Sequence, residues 1–242
     1  MELRLFVFHH AGGSHLAYRD WPGRFPAGWD VRLLDAPGRG LRTDRPAIGD
    51  ALRLVSWFRT ELGSELTGPV ALFGHSMGGL IAYELTRALL AEGRPPVWLG
   101  LSARGVPRPG DEGTRRHLLS DAGLRRELAL LGGTPAEILD DPELWELFSP
   151  TIRNDLRLVE TWSPLPDPEP LPVPMSVYGG SHDPAAPPDR LTGWAAHSTH
   201  HLGLRLFEGG HFYFQPDPAP LIAGITADIR AALALSAPAM PR

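Results

Sequence analysis

Ser76 lies in Gly74-His75-Ser76-Met77-Gly78, a G-x-S-x-G pattern in which chemistry explains the spacing. A serine becomes a nucleophile when it is lifted to the apex of a sharp turn between a strand and a helix. Glycines on either side let the two backbones approach without Cβ clashes. The helix N-terminus beside such a serine favours developing negative charge. An apolar run, residues 70–74, precedes the pattern, and a helical pattern from residue 78 to about 91 follows it. The hydroxyl needs a base, and the base needs an acid to fix its tautomer. The arrangement expected around a G-x-S-x-G turn is nucleophile, then acid, then histidine in chain order. His211, in Glu208-Gly209-Gly210-His211-Phe212, follows a strand pattern and precedes the last helix. Asp183, in Gly179-Gly180-Ser181-His182-Asp183-Pro184, follows a strand between the two; Asp189 competes but falls in a predicted helix. The backbone N–H of Met77, and that of Ala11 in His10-Ala11-Gly12-Gly13, are the candidate oxyanion donors.

Other histidines compete for a role. His9, His10 and His15 follow the first strand and are candidates to line a pocket; His75 is expected to pack inside the turn. His197, His200 and His201 lack a nearby carboxylate pattern and read as a solvated turn, so no metal site is expected.

Composition removes whole classes of chemistry. None of the 242 residues is cysteine, which excludes disulfides, thiolate metal sites and a cysteine nucleophile. Every basic residue is arginine, which excludes Schiff-base and Ser–Lys mechanisms. A net charge of −5 gives no reason to expect nucleic-acid binding. No stretch reaches the ~20 apolar residues of a membrane span, and residues 1–7 do not form a signal peptide. A cytoplasmic protein, with a monomer as the default, is the expectation.

The elements that must position these residues alternate. Strands are predicted at residues 3–8, 29–34, 70–74, 97–102, 175–178 and 204–207, with helices at 51–62, 78–91, 187–196 and 217–235. Strands alternating with helices imply a mostly parallel sheet covered on both faces. With the serine turn, the fold class is α/β, an α/β-hydrolase fold. Residues 1–110 and 163–242 form its core. Residues 111–162 break the alternation with helices at 115–131, 135–139, 142–148 and 151–162, a helical lid inserted in the same domain. Within it, Leu128, Leu131, Ile138, Leu144, Trp145 and Phe148 either shape an acyl chamber or form the lid's own core.

Together the motifs resemble the stand-alone type II thioesterases of polyketide and nonribosomal peptide biosynthesis. Residues 8–14 resemble F-P-Y-A-G-G-S, residues 35–40 resemble Q-L-P-G-R-E, and residues 73–79 match F-G-H-S-M-G-[AG]. Residues 101–104 resemble V-S-G-R, and residues 150–162 resemble P-x-x-R-x-D-x-x-x-x-E-x-Y through Arg153, Asp155 and Glu160. Residues 179–184 resemble G-G-x-x-D-P, and residues 207–212 match F-x-G-G-H-F. Two departures stand out: His9-His10 replaces Pro-Tyr, and Gly40 replaces Glu, removing a carboxylate near the entrance. Integrated chain-terminating thioesterases commonly carry the acid at the place that here reads Leu101-Ser102-Ala103-Arg104, and its absence supports resemblance to the stand-alone type.

The resemblance implies hydrolysis of acyl groups from the phosphopantetheine arm of an acyl or peptidyl carrier protein, an editing activity that needs no cofactor. His10, Leu128, Leu131, Trp145 and Phe148 are then candidates for acyl contact. Arg115-Arg116 and Arg125-Arg126 either help an acidic carrier dock or are a solvated helix face. A small-ester or lipase-like hydrolase, and a non-catalytic α/β-hydrolase binding protein, are the rival readings.

Overall fold

The computed structural model describes residues 3–106, 115–165 and 168–236. Six strands form one sheet in the order β2-β1-β3-β4-β5-β6, and every pairing is parallel. The strands are β1 (Leu3–Phe8), β2 (Trp29–Leu34), β3 (Val70–His75), β4 (Trp98–Ser102), β5 (Met175–Gly180) and β6 (His201–Phe207). Burial follows the position of each strand: β3, β4 and β5 are buried throughout, whereas the edge strands β2 and β6 are partly exposed.

Side chains alternate across the sheet, so each strand feeds two cores. Phe6, Phe8, Leu72, Leu99, Leu101 and Val177 pack under helices α1 (Ala51–Leu62) and α2 (Met77–Ala91). Leu5, Val7, Ala71, Phe73, Trp98 and Tyr178 face the other way, against Leu221, Ile222, Ile225 and Ile229 of the C-terminal helix α7 (Ala219–Ser236). Asp50 caps α1 by accepting from the Arg53 N–H at 2.8 Å.

The strand order reverses between β1 and β3: the chain runs outward from β1 to β2, then returns to the other side of β1. The loops after β1 and β3, carrying Ala11 and Ser76, flank that switch point, where open α/β sheets place their ligands.

Between β4 and β5, the described residues contain three α-helices: α3 (Asp121–Leu131), α4 (Ala136–Asp140) and α5 (Pro142–Thr161). The expected boundary at residues 110 and 111 lies outside the described residues. Two predicted helices, 142–148 and 151–162, are one continuous helix running through Pro150. A proline inside a helix costs about 3 kcal/mol or more through its missing N–H and its ring. Apolar side chains on both sides of it, Trp145 before and Ile152 and Leu156 after, pack into one cluster with Leu124 and Leu128 of α3, which offsets the break. The predicted helix 115–131 starts late instead. Glu160 of α5 takes the N–H groups of Arg116 and His117 at 3.0 and 3.2 Å, and Arg153 takes the carbonyls of His117 and Leu119. These contacts hold residues 116–118 in a single 3-10 turn, and Ser120 caps α3 anew. The predicted helix 187–196 likewise divides into α6 (Pro188–Leu191) and a 3-10 segment, Thr192–His197.

One ion pair ties α5 to the core. Asp155, 1% exposed, receives both guanidinium nitrogens of Arg39, with Nη2 to Oδ1 at 2.7 Å and Nη1 to Oδ2 also in contact. Breaking a buried pair from one side leaves an unpaired buried charge. Arg39→Ala or Asp155→Ala is therefore expected to lower unfolding free energy by about 3–5 kcal/mol, read as a lower urea midpoint; a loss below about 1 kcal/mol would show that the pair is compensated.

Candidate active site

The turn after β3 puts Ser76 at φ 56°, ψ −111°, a conformation that costs a non-glycine residue about 1–3 kcal/mol. The neighbouring glycines make it attainable. A Cβ on Gly74 would sit 1.9 Å from the Gly78 carbonyl oxygen, and one on Gly78 would sit 2.1 Å from that of Phe8. The Ser76 N–H donates to the Ser102 carbonyl at 2.7 Å, tying the turn to β4.

Loops at the ends of β5 and β6 bring the candidate acid and base together. The His211 imidazole Nδ1 lies 2.8 Å from Asp183 Oδ2, and both residues are buried. Asp183 Oδ1 accepts from the N–H groups of Ala185 and Ala186 at 2.8 and 3.1 Å. The carboxylate is therefore fixed on one side and holds the proton on Nδ1 on the other, which leaves Nε2 as the acceptor. Ser76 and His211 line the same cavity, of about 490 Å³. No hydrogen bond joins their side chains among the described residues, a link that in free hydrolases often tightens only when substrate binds. Asp189, the competing acid, lies in α6.

The amides of the first loop have separate partners. Gly13 N–H donates to the His10 carbonyl at 3.0 Å, and Gly12 N–H to Asp155 Oδ2 at 2.8 Å. The N–H of Ala11, which lines the cavity, and that of Met77, the first residue of α2, have no hydrogen-bond acceptor among the described residues. Helix α5 thus clamps the loop through Gly12 and leaves Ala11 uncommitted.

The surrounding histidines are built into the wall. His75 is fully buried and shares a hydrogen bond of 2.8 Å with Ser102 Oγ, which meets the Tyr213 hydroxyl at 2.7 Å. His9 donates from Nδ1 to the His10 carbonyl and accepts the Ala36 N–H at Nε2, so the ring is neutral. Burial pushes its pKa down to about 4, and that of His10 down to about 3. His10 lines the cavity with its ring 4.7 Å from Phe212. His15 instead grips Asp35, with Nδ1 at 2.6 Å from Oδ2. A Cβ on Gly40 would lie 2.1 Å from that same carboxylate oxygen. A side chain at position 40 would therefore collide with the carboxylate that His15 holds.

Of the proposed acyl contacts, Leu128 and Leu131 line the cavity, while Trp145 and Phe148 do not. Trp145 is buried under the Arg125 guanidinium, 4.6 Å from its ring, and Phe148 faces outward, 39% exposed. Ile138 and Leu144 are also off the wall. Helix α5 turns Ile152, Leu156 and Val159 to the cavity, an i, i+4, i+7 row that helical spacing could have identified. Arg125 is further engaged by the Leu139 carbonyl, and Arg116 lines the cavity, which leaves Arg115 and Arg126 as the exposed members of the suggested docking pairs. His197 packs on Trp194 and Tyr83, and His201 is the first residue of β6. Among the described residues, no helix is long and apolar enough to cross a membrane.

A serine at positive φ between strand and helix, with a buried Asp–His pair beside it on a parallel sheet, defines a member of the α/β-hydrolase class. The chain belongs to the thioesterase family: the thioesterase domain model matches residues 3–228. It is 30% identical over 236 residues to the linear gramicidin dehydrogenase LgrE of Brevibacillus parabrevis, covering 96% of this chain and 89% of that protein. It is 34% identical over 211 residues to the probable cadicidin biosynthesis thioesterase of Streptomyces griseus, covering 87% of this chain and 58% of that one. The structure of BorB, the type II thioesterase of the borrelidin biosynthetic cluster, superposes with a TM-score of 0.85 at 33% identity, over 95% of this chain and 94% of that one.

Two outcomes are expected. Asp183→Asn should lower kcat about 10⁴-fold, because the imidazole loses the partner that fixes its tautomer; steady-state rates on any accepted thioester test this. Stability should fall as pH drops from 6.5 towards 4, since His9 and His10 stay neutral in the folded chain but take up protons in the unfolded one. A urea midpoint at pH 5 equal to or above that at pH 7.5 would contradict this.

Proposed function

We propose that the chain is an editing thioesterase that removes acyl groups from the phosphopantetheine arm of an acyl or peptidyl carrier protein. The observation that carries this reading is one cavity lined by Ser76, the Asp183-oriented His211 and Ala11 with its uncommitted amide, and walled on one side by the inserted helices. Its likeness to solved type II thioesterases of NRPS/PKS biosynthetic pathways supports the carrier-bound substrate.

In this reading Ser76 Oγ attacks the thioester carbonyl carbon while His211 Nε2 takes the hydroxyl proton. The Met77 and Ala11 N–H groups stabilise the oxyanion. The C–S bond breaks, the thiolate takes the proton from the imidazolium, and an acyl-serine ester remains. His211 then deprotonates a water as it attacks that ester. Collapse returns the proton to Ser76 Oγ and releases a free acid. Nucleophile, base and oxyanion donors all come from the chain, so the proposed hydrolysis uses no cofactor.

The rival small-ester hydrolase would use the same groups, and the substrate separates the two. A carrier-bound butyryl thioester is expected to be hydrolysed with kcat/KM at least about 100-fold above that of a matched butyryl oxyester, a difference of about 2.7 kcal/mol in transition-state binding. Ser76→Ala should abolish both this activity and labelling by a fluorophosphonate. Equal rates on the two esters would favour the rival, and labelling retained in Ser76→Ala would remove Ser76 from the mechanism.

A further inference from the structure

Arg104 directly follows the residue after β4 and lines the cavity with Ser76. Its backbone carbonyl accepts the Trp194 indole N–H, and its guanidinium lies 5.3 Å from the centre of the Trp162 ring. Nε is sealed from solvent without a hydrogen-bond partner, and no carboxylate pairs with the side chain among the described residues. Burial, with Arg190 nearby, lowers its pKa to about 10, which marks a cation placed where charge is costly.

The rest of the wall does not offset that charge. Besides Arg190, Arg104 and Arg116 line the cavity, and Glu160 is its one acid among the described residues. Glu160 is already occupied by the N–H groups of Arg116 and His117 and by His117 Nδ1. Arg190 is committed to the Val106 carbonyl at 3.0 and 3.2 Å. Arg116 Nε lies 3.6 Å from Glu127 and, like that of Arg104, is buried without a hydrogen bond. The Arg104 guanidinium is half-buried, rests on the Trp162 ring and has no carboxylate partner among the described residues, so a bound anion would satisfy it.

Position limits which anion fits. A Cβ on Gly79, three residues past Ser76, would lie 3.1 Å from the Arg104 Cβ, so the side chain starts beside the first turn of the nucleophile helix. Ser76 and Arg104 line the same cavity, so a negative group carried on the acyl chain is the nearer candidate. The phosphodiester lies at the far end of the pantetheine arm, away from the reacting carbon. Resting on the thioesterase reading above, we propose that the cavity selects acyl groups that carry their own carboxylate, with Arg104 as the principal partner of that carboxylate and Arg116 as the second.

The test compares malonyl and succinyl thioesters with propionyl and butyryl thioesters on the same carrier, corrected for spontaneous hydrolysis. The wild-type chain is expected to favour the carboxylated acyl groups in kcat/KM by at least about tenfold, the scale of one charge-assisted hydrogen bond. Arg104→Met, which keeps the length and the packing on Trp162, should bring that ratio to about one or below, while Arg104→Lys should retain part of it. A wild-type ratio at or below one overturns the proposal, as does a ratio that Arg104→Met leaves unchanged. Repeating the series on N-acetylcysteamine thioesters, which lack the phosphate, separates the two anions. If Arg104→Met slows only phosphopantetheine substrates, whatever their acyl group, the arm phosphate is the ligand and the proposal falls. A second readout needs no turnover and no variant: protection of Ser76 from fluorophosphonate labelling. Succinate should protect at concentrations at least about tenfold below butyrate, and equal protection overturns the proposal even if the chain hydrolyses thioesters. If no thioester is turned over but succinate protects selectively, the thioesterase reading fails and the carboxylate site stands.

Discussion

The carboxylate of Asp155 joins three segments that are distant in sequence. It receives the Arg39 guanidinium from the loop after β2 and the Gly12 N–H from the loop after β1, and it belongs to a helix inserted between β4 and β5. A buried charge is tolerated only when its partners satisfy it, so these segments are held in one relative position. The consequence reaches the chemistry: with Gly12 held by α5 and Gly13 turned back to His10, Ala11 is the amide of that loop left to face the cavity. Helix α5 is therefore at once the cavity's wall and part of what shapes the candidate oxyanion site.

Around that anchor the polar groups near Ser76 form layers. Asp183 is fixed by two amides and orients His211. Behind the imidazole, His75, Ser102 and Tyr213 form a buried hydrogen-bonded chain. Burial holds His9, His10 and His75 neutral, so the histidine rings beside the site add shape and little charge. Positive charge comes from Arg104 and Arg116, which also line the cavity.

Local patterns in the sequence were sufficient for the sheet and for the serine turn. Short apolar runs closed by turn residues marked all six strands, with ends that differ by a few residues at most. Gly74 and Gly78 are required by contacts within the turn and with β1, so G-x-S-x-G could be read without knowing the rest of the fold. Asp183 and His211 were legible for a related reason: each follows a strand whose C-terminal end must lie on the side of the sheet where Ser76 emerges. Parallel strands with regular crossovers fix that side.

The inserted region was decided by tertiary structure. Pro150 reads locally as a break, yet α5 continues because side chains on both sides of it enter one cluster. Residues 116–118 read locally as helix, yet Glu160 and Arg153 take their backbone groups. Which apolar residues face the cavity also depended on how α5 is rotated, and Asp155 sets that rotation by binding across more than a hundred residues of chain. Glycine-flanked turns and strand periodicity are short-range and show in composition and spacing. Buried ion pairs and helix rotation depend on partners that only folding brings together, so the loops carrying Ser76, Asp183 and His211 could be read from the sequence, and the cavity wall only in part, through His10, Leu128 and Leu131.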